Sequence, residues 1–473
     1  MSWEYGLWRA LKTTQYVFTI YVGSISLVYL ALMVLGFFVL RNTRNHLTDA
    51  ERIALLKSPL TPSVSVVAPA FNEAATIVQS VRAMLSLHHP DHEVVVVNDG
   101  SRDDTLKLLI DEFRLYRSAR QPRASTRCHP IRAIYESRDP VPLVVVDKEN
   151  GGGKADALNA GINVALKDLV AVVDSDSLLE PEALLYVTRP FMEDPGCAAT
   201  GGIIRVVNGC RVHGGRVAEV GLPSSLVARF QVLEYLRAFL GGRVAFSHLN
   251  SLLLISGAFG LFRRRMLVEC GGFDRRTVGE DMEMVVRIHR RMREERRPCR
   301  IVFVPDPVCW TQVPEHLGSL SNQRNRWQRG TGETIVRHKK MLFNPRYGVV
   351  GMFALPYFAA FEMFGPGAEL LGYILTIVGL PLGFVDLERA LLFFCVSMLF
   401  GLILSTGAIL LEEFTLRKYP SVRDVLGLFT AAVLENFGYR QLMAVWRAKG
   451  LVDGLLNTRT GWGTMRRKGF ESR

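Results

Sequence analysis

The chain has no cysteine pattern that would support a disulfide framework or a zinc site. Its seven cysteines (Cys128, Cys197, Cys210, Cys270, Cys299, Cys309, Cys395) are odd in number and none are paired as C-x-x-C. That usage fits a reducing compartment. The G-x-x-x-x-G-K-[ST] spacing is absent, which excludes a P-loop. No internal repeat or low-complexity tract is evident, which excludes a solenoid. The stretch 16–40 contains no charge and no small-residue cleavage site, so it reads as a membrane span and not a cleaved signal.

What is present is a mixture. The 473 residues are 49% hydrophobic and 22% charged, with mean hydropathy +0.17, which suggests a soluble domain joined to membrane spans. The net charge of +12 comes from Lys and Arg beside apolar spans and in one loop. That placement fits an anionic membrane face and phosphate-bearing ligands better than nucleic acid.

The first span ends in Arg41, Arg44 and His46, which places the following residues in the cytoplasm and defines an amino-terminal unit 1–59. From 60 to 340 the chain turns globular. β-Branched runs at 64–68, 93–97, 143–146 and 169–173 alternate with helical patterns, predicting an α/β fold with a mostly parallel sheet covered on both faces. The Arg-rich stretch 114–138 reads as an inserted surface loop. Apolar segments return at 348–364, 369–385, 391–411 and 424–446, within a membrane region 341–446 of two to four spans. Arg417, Lys418 and Arg423 mark a cytoplasmic loop, which makes 369–385 and 391–411 an out-and-back pair and puts 348–364 in the interface. The last segment carries Glu435, Asn436 and Arg440 and is interfacial or lines a cavity. A cytoplasmic tail, 447–473, follows.

The chemistry-bearing residues stand at strand ends, where an open parallel sheet binds ligands. The run 64–68 leads into Pro69, Ala70, Phe71, Asn72 and Glu73, and 93–97 into Asn98, Asp99, Gly100 and Ser101. Asp99 can accept hydrogen bonds from a base or ribose; helix capping and turn formation explain the same residues. A Gly-rich turn, Gly151-Gly152-Gly153, precedes Lys154 and Asp156 and suits a phosphate, or is a plain connector. The run 169–173 delivers Asp174-Ser175-Asp176. Two carboxylates so placed repel unless a cation lies beside them, and Mg2+ or Mn2+ holding a diphosphate would supply it; a capped turn is the alternative. Glu280 and Asp281 open a helix, as dipole-complementing acids or with Asp281 as a general base for an attacking hydroxyl. Gln323, Arg326 and Trp327 share a helix face, setting a phosphate-binding guanidinium beside an aromatic platform. A basic interfacial helix has the same pattern.

The order of these motifs resembles the processive, membrane-integrated family 2 glycosyltransferases: cellulose, hyaluronan, chitin and poly-N-acetylglucosamine synthases. It is carried by Asp99, Lys154 and Asp156, Asp174-Ser175-Asp176, Thr200-Gly201-Gly202, Gly279-Glu280-Asp281 and Gln323-x-x-Arg326-Trp327, over roughly 60–330. The resemblance implies a GT-A-type domain and an inverting reaction from a UDP-sugar donor to a β-linked polysaccharide. It implies nucleotide-sugar binding by Glu73, Asp99, Lys154, Asp156, Asp174 and Arg326. Asp176 with Asp174 would hold Mg2+ or Mn2+, and Asp281 would be the base. Gln323, Arg326, Trp327, Thr200, Gly201 and Glu280 would serve the acceptor and diphosphate. The tail, with Trp462, Thr464 and Arg466, resembles the Trp-Gly-Thr gating segment of hyaluronan and chitin synthases, although Met465 stands where the basic residue usually follows the Thr; an ordinary basic tail is the alternative. Expected partners are the donor, the growing polysaccharide, the lipid bilayer and an export protein, without nucleic acid, at a multi-pass inner (plasma) membrane location. A transferase adding one sugar to a lipid or protein, and an inactive scaffold retaining the fold, are the competing readings. The intact Asp174 and Asp176 count against the scaffold.

Overall fold

The computed structural model describes residues 2–42, 47–383, 385–419 and 421–456. Its strands are β1 (Val64–Ala70), β2 (His92–Asn98), β3 (Leu115–Arg117), β4 (Ile131–Ser137), β5 (Leu143–Lys148), β6 (Leu169–Val173), β7 (Leu178–Leu179), β8 (Cys197–Val206), β9 (Arg211–His213), β10 (Arg216–Glu219), β11 (Phe259–Arg263) and β12 (Arg300–Thr311). Ten of them form one sheet in the order β3-β4-β5-β2-β1-β6-β11-β8-β12-β7, and β9 and β10 form a separate hairpin.

The valine-rich runs make the centre of this sheet because they can be buried on both faces. Val66, Val67, Val94 to Val97 and Val170 are wholly buried. The block β5-β2-β1-β6 is parallel throughout, with Val64 opposite both His92 and Leu169, and Val94 opposite Leu143. This register brings the carboxyl ends of all four strands to one edge. Beyond it the sheet is mixed: β11 lies antiparallel between β6 and β8, and β12 runs parallel to β8.

The stretch 114–138 is not only a surface loop. It supplies β3 and β4, an antiparallel flank of the sheet. Arg120 turns inward to Glu93 at 3.2 Å and donates to the Val164 carbonyl at 2.6 Å. An edge strand with a solvated face tolerates arginine, which hid the strand period.

Among the described residues, three helices are long and apolar enough to cross a membrane: Ile20–Asn42, Val350–Gly379 and Phe394–Thr415. The second joins π-helical and α-helical turns and bends at Phe364, just before Pro366. The apolar segment 424–446 is broken, with helices Val422–Leu434 and Tyr439–Leu455 meeting at Gly438, whose φ is +95°. These helices pack directly on the globular unit. A Cβ at Gly36 would lie 2.8 Å from the Leu240 carbonyl oxygen. Arg205 at the end of β8 forms a fully buried ion pair with Glu412, and Arg237 pairs with Glu435. Each buried charge depends on its partner, so the two parts are locked together.

Candidate active site

The β1 and β2 ends are knitted by side-chain caps. Asn72 adopts φ +57°; its backbone N–H donates to Ser101 Oγ at 3.0 Å and its Oδ1 accepts from the Arg102 N–H at 2.8 Å. Asp99 accepts from Lys148 and from the Gly151 N–H at 3.2 Å, while Asn150 donates to the Asp99 carbonyl at 2.7 Å. Gly100, with φ +66°, has Asn150 packed where a Cβ would be. Two strand ends and the Gly-rich turn thus form one floor.

Against this floor stand the acids. Lys154, first residue of the helix Lys154–Val164, pairs with Asp174 and donates to the Gly257 carbonyl at 2.8 Å. Burial works against its charge, but Asp174, Glu280 and Asp281 outweigh that and raise its pKa, so it stays an ammonium. Asp176 is buried, and that burial, with the charge of Asp174, pushes its carboxyl up to about 7. Burial and the charge of Asp281 push Glu280 up to about 7 as well. Asp281 accepts from the Gly257 N–H at 3.3 Å and the Met282 N–H at 2.8 Å. Gly257 therefore ties Lys154 to Asp281.

The helix Leu317–Arg337 supplies the opposite wall. Arg324 pairs with Glu234 and lies 4.3 Å from the Trp327 ring centroid. Gln323 is buried, and among the described residues its amide oxygen finds no hydrogen-bond donor. Gln323, Arg324, Gln328 and Arg329 are buried and pack this helix into the protein.

One cavity of about 1910 Å3 joins Glu73, Asp99, Lys154, Asp174 and Asp176 to Glu280, Asp281, Gln323, Arg326 and Trp327. It continues between the long apolar helices, past Phe18, Tyr21, Phe361 and Phe394. Three expected residues are not among its lining. Asp156 is enclosed by Lys148 at 2.6 Å, His129 and Arg275; burial opposes its charge, but those hydrogen bonds hold its carboxyl at about 2. Thr200 donates to the Val187 carbonyl inside the protein, and Gly201 sits in β8 against Ile255. Trp462, Thr464 and Arg466 fall outside the described residues. Sequence reasoning missed Tyr235, Phe239 and Arg243, which line the cavity from the end of the helix Leu226–Leu236 and the π-helical turn Arg237–Arg243 that follows it. Their i, i+4, i+8 spacing was the available signal.

The residues at the β6 end fit a hard divalent cation in part. Asp174 and Asp176 offer oxygen ligands, and a cation would favour the charged form of Asp176 that burial and the charge of Asp174 disfavour. Among the described residues no group of three or more His, Cys, Asp or Glu forms a complete cage. The remaining ligands would have to come from a bound molecule such as a diphosphate.

A sheet with a parallel centre that delivers Asp99, Asp174 and Asp176 to one edge, faced by Asp281, is the GT-A arrangement of nucleotide-sugar transferases. The family described as "Glycosyltransferase like family 2" matches residues 62–330, and the chain belongs to it. It is 30% identical over 269 residues to the poly-beta-1,6-N-acetyl-D-glucosamine synthase of Staphylococcus aureus (strain COL), covering 56% of this chain and 54% of that protein. The Staphylococcus epidermidis protein of the same name is 28% identical over 289 residues, 61% of this chain and 59% of its own. The chain thus spans little more than half the length of these relatives. Among solved structures it resembles the mannosyltransferase PcManGT from Pyrobaculum calidifontis, determined with GDP-Man and Mn2+. The TM-score is 0.52 at 17% identity, covering 93% of this chain and 100% of that one, which shows the fold.

Proposed function

We propose that this chain is a membrane-bound, inverting polysaccharide synthase that builds a β-linked polymer from a UDP-sugar on the cytoplasmic face, with N-acetylglucosamine as the sugar. The name of its staphylococcal relatives supports that choice of sugar. The observation that carries the reading is the continuity of the cavity: the acids at the strand ends and the aromatic side chains of the long apolar helices line the same space. A product leaving Asp281 has a path along those helices.

In this reading Asp99 holds the nucleotide, and Lys154 and Arg326 meet the charge of the diphosphate. A divalent cation at Asp174 and Asp176 would add to that neutralisation. The acceptor hydroxyl oxygen attacks the anomeric carbon as the bond from that carbon to the diphosphate oxygen breaks. Asp281 takes the hydroxyl proton, and UDP carries away the electron pair. Displacement from the opposite face inverts the anomeric centre, so a single base suffices. Trp327 offers a flat apolar surface for the acceptor ring.

The test is UDP release by detergent-purified protein given UDP-N-acetylglucosamine and Mn2+ or Mg2+, with the product sized on a gel and Asp281→Asn as control. High-molecular-weight product establishes the synthase. Strict dependence on an added lipid acceptor, with products one sugar longer, would replace it by a single-addition transferase, which the apolar cavity lining also accommodates. Binding of UDP without any turnover would leave the scaffold reading.

A further inference from the structure

Arg243 is a cation that no carboxylate pairs with among the described residues. It ends the π-helical turn Arg237–Arg243 and lines the cavity. Its guanidinium carbon lies 3.7 Å from the centroid of the Phe239 ring. No hydrogen bond or ion pair engages it among the described residues, and Asp281 is the carboxylate whose field reaches it. A guanidinium has five N–H donors in a planar fork. Partly buried on the cavity wall and with no protein acceptor among the described residues, it has these donors to offer a ligand.

The surroundings hold this group in place. Tyr235, Phe239 and Arg243 follow one another at four-residue spacing along the cavity, with the Tyr235 and Phe239 rings 5.9 Å apart. The turn is fixed from behind by the close approach of Gly36 to Leu240 and by the Arg237–Glu435 pair. π-Helical turns in α-helical surroundings gather at functional sites. This wall is built by a different helix from the one carrying Trp327, and it faces the same acid.

We propose that Arg243 and Phe239 form a seat for the terminal sugar of the acceptor. Arg243 donates to the oxygens of that sugar's hydroxyl or carbonyl groups, and Phe239 backs the guanidinium. The seat orients the attacking hydroxyl toward Asp281, so Arg243 is a positioning residue. The inference rests on the transferase reading above and adds a residue to its acceptor side.

The experiment uses the full chain in detergent, UDP-N-acetylglucosamine as donor and a short β-1,6-linked N-acetylglucosamine oligomer as acceptor. Arg243→Ala should raise the acceptor KM about tenfold or more, the loss expected for hydrogen bonds from a charged donor. UDP affinity should stay at the wild-type value, and Arg243→Lys should recover part of the acceptor affinity. Direct oligomer binding, measured without donor, should weaken by a similar factor in Arg243→Ala. An unchanged acceptor KM and unchanged oligomer binding would overturn the seat while leaving the transferase reading intact. Parallel loss of UDP and oligomer binding would overturn it in favour of a folding role. A wild type that neither turns over nor binds the oligomer sinks both readings.

Discussion

Gly279 and Gly330 meet backbone to backbone: a Cβ on either would lie 2.7 Å from the Cα of the other. The helix bearing Asp281 is seated by this contact on the helix bearing Gln323 and Trp327. Gly330→Ala forces those helices apart, and overpacking of this kind costs about 1–3 kcal/mol. Thermal unfolding should show a lowered midpoint. Because the shift separates Asp281 from the opposite wall, transfer should fall by more than the folded fraction does. Unaltered kcat in the folded protein would show that the contact is merely tight packing.

Asp281→Asn removes the proposed base while preserving size. Turnover should drop by about 10²–10⁴-fold, the range for loss of a general base, while UDP affinity stays near wild type. Calorimetric UDP titration alongside the release assay separates the two, and equal loss of both would contradict the role.

Asp176→Ala should abolish the gain in UDP affinity produced by Mn2+ or Mg2+, since it removes one of the two proposed oxygen ligands at the β6 end. Titrating UDP with and without metal checks this. A variant that keeps the full metal-dependent gain would mean the cation is held elsewhere.

Asp156 gives a pH prediction. Its carboxyl is held at about 2 in the folded protein, below the unfolded value of about 3.9. A depressed native pKa contributes stability at pH values above the unfolded one, and that contribution is lost as pH falls from about 4 toward about 2. Denaturation midpoints across that window should fall less steeply in Asp156→Asn than in wild type. Parallel pH dependences would place the acid sensitivity elsewhere.

The Arg205–Glu412 pair is buried on both sides. Arg205→Ala leaves a carboxylate stranded and should destabilise the protein by about 3–5 kcal/mol. The double variant Arg205→Met with Glu412→Leu should recover most of that loss, as read in detergent unfolding midpoints. A double variant no better than the single would mean that the packing of Arg205, not its charge, carries the effect.

The sequence by itself determined the parallel centre of the sheet and the carboxylates at its edge. Strands buried on both faces must be written as unbroken apolar runs, so 64–68, 93–97 and 169–173 were legible, and Asp99, Asp174 and Asp176 came with them. The Gln323 to Trp327 face was legible from helical spacing alone. Only the tertiary structure decided the rest, because it depends on contacts between residues far apart in the chain. Asp156 and Lys154 stand two positions apart on one helix, yet Lys148 and Arg275 enclose the first while Asp174 and the cavity claim the second. The flanking strands within 114–138 were hidden because a half-solvated strand can be rich in arginine. Arg243 gained its significance from what does not reach it: no carboxylate pairs with it among the described residues, and a missing partner leaves no mark on a sequence.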